Sequence, residues 1–463
     1  TKCLAATQVT MVMLQRVRCI PTILAASLAG RACAVGTVSV SGPKARMFKN
    51  GGHPLVFEGA IKRTENVQVG EAVDVLDGAG ELIGWGVWNP HSLYRVRMLV
   101  PAIERDQLEH RSISEIVRRR LQAAASRRAA CCLPSESTTA YRLVNSEGDR
   151  LSGLTVDVFG STAVAISSAL WLELRREAVE VALLELAGIE TVVWRRSDGR
   201  LRTDGWNPPE ASGTAEGEAD GVGGGGGGEG GGGGGGACGP QAERPAPAPP
   251  VTVLENGLKY LVAPVLGQKS GFYCDQRDNR AMLAELCAGR RLLDLYCYSG
   301  GFSLAAAAAG ATSTHGVDSS AAAIGLAQSN AALNGFGSVC EFSQSDVPAF
   351  LKREGVAESF DVVVCDPPKL APSVKDLRRA GRKYRQINSL AMSAVRPGGL
   401  LLSCTCSAAM TQSGGFLPML HEAATAAGRS LTVLRTSGPA CDHTLHPCCP
   451  ESNYLTAVLV QVS

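Results

Sequence analysis

Asp294-Leu-Tyr-Cys-Tyr-Ser-Gly-Gly-Phe302 is the stretch that decides the fold. An apolar run from Leu292 to Tyr296 ends at this glycine pair and passes directly into an Ala-rich helical segment, Ser303 to Ala309. Strand, tight turn and helix in that order form the crevice of an open parallel sheet, because glycine permits backbone turns and close ligand approach that a Cβ would forbid. The pattern is not G-x-G-x-x-G, so a dinucleotide-dependent dehydrogenase is disfavoured. Asp294, Tyr296, Ser299, Gly300 and Gly301 are the candidate cofactor contacts of this stretch.

Outward from it, strands and helices alternate. The strands expected are Leu292 to Tyr296, Ser313 to Val317, Val339 to Ser343, Asp361 to Cys365, Gly399 to Ser403, Leu431 to Arg435 and Leu455 to Val460, with helices such as Ser320 to Asn334 between them. This predicts a doubly wound, Rossmann-like α/β domain of the methyltransferase type. Asp318 closes the second strand, where a carboxylate can accept both hydroxyls of a ribose, and Asp346 follows the third, where it can accept from an adenine amino group. A single acidic residue at a strand end is more often a helix cap. Acidic residues at three successive strand ends point to a nucleoside-bearing cofactor.

The fourth strand ends in Asp366-Pro367-Pro368-Lys369, whose prolines fix an extended backbone at the carboxyl edge of the sheet. Asp366, Pro367 and Lys369 are thereby candidates to meet the polar edge of a planar base. Beyond them, Lys375 to Asn388 carries six basic residues around Tyr384, including Arg382 and Lys383. Guanidinium groups bind phosphate and an aromatic ring stacks on an extruded base; the bland alternative is a solvated loop.

The amino-terminal half reads differently. Leu55 to Ile61, Ala72 to Leu76, Leu82 to Val87 and Tyr94 to Leu99 look like short strands of a small β-barrel. Glu104 to Ala130 has a helical pattern with Arg118, Arg119, Arg120, Arg127 and Arg128, a run that is equally a solvated face or an RNA contact. Strands at Tyr141 to Leu143, Leu154 to Val158, Ala163 to Ser167 and Thr191 to Arg195, with a helix from Leu172 to Leu186, make a second α+β unit. Residues 207–250, rich in glycine and proline, bury too little apolar surface to fold and are expected to be a disordered insertion.

Composition sets further bounds. Lys and Arg total 45 against 43 Asp and Glu, so a nucleic-acid surface must come from local clustering. The 16 cysteines are scattered without C-x-x-C spacing, which suggests a reducing compartment and no zinc ribbon. Apolar stretches such as Ile20 to Ala29 fall short of the ~20 residues that span a bilayer. The first 57 residues contain no Asp or Glu while basic and small residues recur, the composition of an organellar transit peptide or of a basic extension. A chloroplast is the preferred address, then a mitochondrion, with the cytoplasm following if the leader is not a transit peptide.

Taken together, these segments resemble the bacterial large-subunit rRNA cytosine-5 methyltransferases, which have a PUA domain, a central α+β domain and a Rossmann-like catalytic domain. The similarity runs from about Val38 to Val462 outside the insertion. It rests on His53-Pro-Leu-Val-Phe-Glu-Gly-Ala-Ile61, Tyr141-Arg-Leu-Val, Glu147-Gly-Asp-Arg-Leu-Ser-Gly-Leu-Thr-Val-Asp157, Asn256-Gly-Leu-Lys-Tyr-Leu-Val262 and Lys269-Ser-Gly-Phe-Tyr-Cys-Asp-Gln-Arg-Asp278. The resemblance implies S-adenosylmethionine as cofactor, contacts to it from Gln276 and Arg277, and large-subunit rRNA as partner; it leaves a homodimer open.

Guanine-modifying relatives share much of the catalytic half but lack the cysteine that here stands in Cys406-Ser407, which aligns with the family's nucleophilic pair. Carbon 5 of cytosine is a poor nucleophile until a thiolate adds at carbon 6, so Cys406 is the implied nucleophile, with Asp366 steadying the adduct. Cys404 is expected to be a buried strand residue. Tyr384 and Asn388 also match the family, whereas Thr444 stands where the family usually has proline. The irregular group Cys441, His443, His446, Cys448 and Cys449 predicts no metal. The domains expected are a leader over 1–37, a PUA-like barrel over 38–101, a central unit over 102–266 and a methyltransferase domain over 267–463. Two rivals are a methyltransferase for another base, such as guanine, and an RNA-binding assembly factor without activity.

Overall fold

The computed structural model describes residues 35–50, 52–108, 112–207, 250–264 and 271–463. The leader expected over 1–37, apart from its last residues, and nearly all of the insertion lie outside the described residues. No described helix is long and apolar enough to cross a membrane.

The first sheet holds six strands, β1 (Gly36–Val40), β2 (Leu55–Phe57), β3 (Ile61–Glu65), β4 (Ala72–Leu76), β5 (Leu82–Trp88) and β6 (Tyr94–Pro101), in the order β2-β6-β5-β4-β1-β3. β1 has strict alternation, with Val38 and Val40 fully buried beside Val73, Val75 and Ile83. It pairs parallel with β4 and antiparallel with β3, and α1 (Gly42–Lys49) follows it. The acid-free stretch therefore divides: from Gly36 onward it is strand and helix of the barrel, not leader. The expected single strand Leu55 to Ile61 is broken by a 3-10 turn at Glu58–Ala60.

Next come α2 (Ile113–Ala130), β7 (Ala140–Asn145), β8 (Leu154–Phe159), β9 (Thr162–Ser167), α3 (Leu170–Leu174), α4 (Arg176–Leu184), β10 (Thr191–Arg196) and α5 (Asp198–Thr203). The four strands form one sheet, β10-β9-β8-β7, and the helix expected over Leu172 to Leu186 is two, broken at Arg175 (φ −122°, ψ 18°). Trp85, Leu99 and Val100 of the first sheet enter the same core as Ile116, Val117 and Leu121 of α2 and Leu154 of β8. The arginine run of α2 is tied up in ion pairs, with Arg120 and Arg128 buried and Arg118 and Arg127 on the solvated side. Arg120 is buried against the Leu99 carbonyl (2.7 Å) and Glu104, Arg128 makes a two-pronged pair with Asp149 (2.6 and 2.8 Å), and Arg118, Arg119 and Arg127 are each paired with acidic residues. A hairpin of β11 (Val251–Glu255) and β12 (Leu258–Val262) turns at Asn256-Gly257, both with positive φ, the backbone an Asn-Gly hairpin favours.

The carboxy-terminal part comprises α6 (Arg277–Ala284), β13 (Arg291–Leu295), α7 (Gly301–Ala308), β14 (Ser313–Asp318), α8 (Ala321–Leu333), β15 (Cys340–Gln344), α9 (Val347–Leu351), β16 (Phe360–Cys365), α10 (Leu377–Ala394), β17 (Val395–Thr405), α11 (Ala408–Gln412), α12 (Phe416–Ala426), β18 (Leu431–Ser437) and β19 (Thr456–Val462). All seven expected strands join one sheet, in the order β15-β14-β13-β16-β17-β19-β18, with β19 antiparallel to both of its neighbours. β16 is buried at every residue, as a central parallel strand covered on both faces must be. The chain runs outward from β13 to β15 and then crosses back to β16. A crevice opens where the order reverses, between the carboxyl ends of β13 and β16.

Candidate active site

The turn after β13 is tightly wound. Tyr296 (φ 63°), Tyr298 (φ 47°) and Gly300 (φ 79°) are all left-handed, a conformation that costs a non-glycine residue about 1–2 kcal/mol and collects at functional sites. Asp318 at the end of β14 helps to hold it, with one carboxylate oxygen accepting from Tyr298 N (3.1 Å) and the other from Ser320 N (2.9 Å). Gly300 is needed for its backbone and for space, since a Cβ there would lie 3.0 Å from the Phe342 ring. At Gly301 the space is taken by Arg280, whose Cδ would lie 2.9 Å from an added Cβ. Arg280 itself is buried in a two-pronged pair with Glu255 of β11 (2.7 Å each) and donates to the Tyr273 carbonyl, so the hairpin braces the turn.

Asp294 is sealed beneath this turn. At 1% exposure it accepts from Ser303 N (3.1 Å) and Ser303 Oγ (2.9 Å), and burial pushes its carboxyl up to about 7 against those hydrogen bonds. It positions the turn and the start of α7 rather than reaching a ligand itself. Ser299, also buried, accepts through its carbonyl from Asn330 (3.1 Å). Asp346 is exposed and caps α9 by accepting from Ala349 N (3.0 Å).

At the next strand end Asp366 is half-buried and accepts from Gln276 Nε2 at 2.9 Å. Gln276 is set by a chain of hydrogen bonds: Ser437 Oγ donates to Asn279 Oδ1 (2.7 Å), and Asn279 Nδ2 donates to Gln276 Oε1 (2.7 Å). Gln276 therefore belongs to the Asp366 side of the crevice. Arg277 does not face the crevice at all. It is 4% exposed and paired with Asp442, 2.9 Å away, so its expected cofactor contact is replaced by a buried ion pair.

β17 ends beside β16 and brings Cys406, half-buried, with its sulfur 4.0 Å from the Pro367 carbonyl oxygen. Ser407 caps α11 and donates to the Ala371 carbonyl (2.6 Å), which ties the cysteine turn to the segment after the prolines. Cys404 is fully buried, and desolvation and then Asp366 keep its thiol well above the usual range. Lys369 is exposed.

The basic segment around Tyr384, expected to meet RNA, is the long helix α10 and not a loop, and this changes two assignments. Tyr384 and Asn388 are 0% exposed. Thr405 Oγ1 donates to the Tyr384 hydroxyl (2.8 Å), Ser403 Oγ donates to Asn388 Oδ1, and the Tyr384 ring meets Phe416 edge-on at 6.0 Å. Neither can stack on a base; both anchor the strand that carries Cys406. Arg382 and Lys383 are exposed on the outer face of the helix with Arg378 and Arg379, and Lys375 is exposed in the turn just before it.

Tyr273 received no role from sequence. It is half-buried, packs edge-on against Tyr298 at 5.1 Å, and its hydroxyl is pushed up to about 12 by burial and by Asp275, Cys406, Asp366 and Asp318. It is the aromatic residue within electrostatic reach of both halves of the crevice. Only its place inside the segment up to Asp278 could have flagged it. The group Cys441 to Cys449 does not converge: Asp442 and His443 pair with each other (2.9 Å), and His446 Nδ1 accepts from Cys448 N (3.2 Å). Thr444, the departure from the family's proline, donates to Asp149 (2.8 Å) through a hydroxyl that proline lacks.

This sheet, with its left-handed turn and a carboxylate at the second strand end, defines an S-adenosylmethionine-dependent methyltransferase. The family model for S-adenosylmethionine-dependent methyltransferases matches residues 237–449, and that for PUA-like domains matches 38–101. The chain belongs to the ribosomal RNA large subunit methyltransferase I family. It is 33% identical over 416 residues to the protein of that name from Shewanella denitrificans, covering 89% of this chain and 95% of that one. It is 35% identical over 409 residues to the one from Photobacterium profundum, covering 87% and 94%. The crystal structure of SMU.776 complexed with SAH is similar in fold, with a TM-score of 0.70 and 20% identity over 92% of this chain and 99% of that one.

Proposed function

We propose that this chain methylates carbon 5 of a cytosine in large-subunit ribosomal RNA, with Cys406 as the nucleophile. The observation that carries the reading is the meeting of Cys406 with the Asp366-Pro367 edge at adjoining strand ends, across the crevice from Asp318. The names of its relatives supply the RNA, and its own residues supply the chemistry.

The residues present fit S-adenosylmethionine. Gly300 leaves a cradle that a Cβ would fill, and Asp318 offers carboxylate oxygens to the ribose hydroxyls at the rim. Bound there, the cofactor supplies an electrophilic methyl group. Cys406, as the thiolate, adds to carbon 6 of the cytosine and makes carbon 5 nucleophilic toward that methyl group; once carbon 5 carries the methyl, loss of its proton to a base restores the 5,6 double bond and expels the sulfur. Asp366, held by Gln276, faces the ring nitrogen or amino group and stabilises the adduct. The outer face of α10, with Arg382 and Lys383, offers charges to the phosphates, and the barrel adds a second grip.

RNA containing 5-fluorocytosine tests this, because fluorine at carbon 5 blocks the final elimination. A covalent adduct is expected with the wild type and with Cys404→Ala, and none with Cys406→Ala. An adduct on Cys406→Ala removes the nucleophile assignment, and methylated guanine in the product RNA removes the base. For the compartment, the composition of residues 1–35 supports an organellar leader, a chloroplast before a mitochondrion. A reporter fused to these residues should leave the cytosol, and uniform cytosolic signal ends that reading.

A further inference from the structure

Far along the chain from the crevice segments, the fold joins three groups that the sequence separates by almost 400 residues. His53 lies between α1 and β2 of the barrel, and Cys449 and Glu451 lie in the loop before β19. His53 and Cys449 are 6% and 1% exposed, while the Glu451 side chain is partly open at 42%. The ring nitrogen, the sulfur and a carboxylate oxygen all fall within 4.8 Å of one another. We propose that His53 Nε2, Cys449 Sγ and Glu451 Oε2 form a zinc site that fastens the barrel to the carboxy-terminal loop, with a fourth position left to water.

Two of the three separations suit the ion, and the third, between ring nitrogen and sulfur, lies within 4.8 Å. Zinc bonds of about 2.3 Å to sulfur and about 2.0–2.1 Å to nitrogen and oxygen, at tetrahedral angles, separate sulfur from oxygen by about 3.5 Å and nitrogen from oxygen by about 3.3 Å. The observed separations are 3.3 Å for Cys449 Sγ to Glu451 and 3.5 Å for His53 Nε2 to Glu451. A mixed sulfur, nitrogen and oxygen set also suits zinc better than magnesium or calcium, which take oxygen.

The imidazole is arranged as ligating histidines are. Its Nδ1 lies 3.1 Å from the Leu55 carbonyl oxygen and 3.2 Å from Leu55 N, and a cation on Nε2 selects the tautomer in which Nδ1 donates to that carbonyl. Phe48 and Phe57, with ring centroids 6.3 and 5.2 Å away, hold the ring in place. On binding, the Cys449 sulfur bonds to the metal and its proton passes to solvent.

The full-length protein, expressed with zinc and dialysed, tests the site by elemental analysis and by cobalt substitution. About one zinc per chain is expected, along with a thiolate-to-cobalt absorption band in the near ultraviolet. Both should be lost in Cys449→Ser and in His53→Gln, and kept in Cys448→Ser and Cys441→Ser. Wild-type protein holding less than about a tenth of an equivalent overturns the site. So does wild-type stoichiometry in both Cys449→Ser and His53→Gln, or a cobalt spectrum without the thiolate band, which needs no variant to fold.

Discussion

Two carboxylates at neighbouring strand ends behave in opposite ways. Asp318, at the crevice rim, accepts through its carboxylate oxygens from the Tyr298 and Ser320 backbone N–H groups. Asp318→Ala should weaken S-adenosylhomocysteine binding by about 1–3 kcal/mol, the worth of charge-assisted hydrogen bonds, as read by calorimetry. Unchanged affinity would put the ribose elsewhere. Asp294 is buried and its carboxyl is pushed up to about 7, so the folded state holds a proton that the unfolded chain has already lost near pH 4. Stability from this residue therefore falls as pH rises from about 4 to about 7 and is level above. Asp294→Asn keeps an acceptor for Ser303 and removes the titration; its melting temperature should gain on the wild type across that window. Parallel curves would contradict the raised carboxyl.

Among the elements, α10 separates what sequence could and could not convey. The seven strands of the catalytic sheet were readable because buried parallel strands are short apolar runs between turn signals. The helix was obscured by its own charges: the basic residues of its outer face masked an apolar inner face on which Tyr384, Ile387 and Asn388 are buried. The aromatic residue was legible as important, but its direction was not, since no local pattern tells an inward tyrosine from one aimed at a base. β1 and α1 were missed for a related reason, the acid-free composition of the leader running on into them. The exposed side of α10 yields a prediction of its own. Arg382→Ala with Lys383→Ala should weaken RNA binding without altering S-adenosylhomocysteine affinity, and should flatten the salt dependence of binding by about 1–2 in log–log slope. An unaltered slope would show that these charges touch no phosphate.

At the scale of the whole molecule, the insertion and the buried charges make contrasting demands. The insertion leaves after α5 and returns just before β11, so its removal disturbs no described strand. Deleting Gly223 to Gly236 should leave thermal melts and methyl-transfer rates nearly unchanged, and a large loss in either would reveal a role for it. Asp442 is the opposite case. It is fully buried, accepts from Arg142 N (2.8 Å), Arg277 (3.0 Å) and His443 (2.9 Å), and these partners hold its carboxyl well below the usual range in spite of burial. Asp442→Asn should cost about 3–5 kcal/mol in chemical denaturation, as breaking a buried ion cluster does, and a loss under 1 kcal/mol would mark the cluster as incidental. In the wild type this contribution is present above about pH 4 and fades as acid protonates the carboxylate.

The position of Asp442 also bears on the order in which the protein is made. Its carbonyl takes a hydrogen bond from Arg128 of α2, more than three hundred residues earlier, and its carboxylate answers Arg277. A nascent chain leaving the ribosome has therefore built both arginines long before their partner exists. The core around α2 and the Arg128–Asp149 pair draw only on residues already made by then, so what must wait for the last two dozen residues is the seating of Arg128 and Arg277 on Asp442, which locks the carboxy-terminal loop onto the earlier elements.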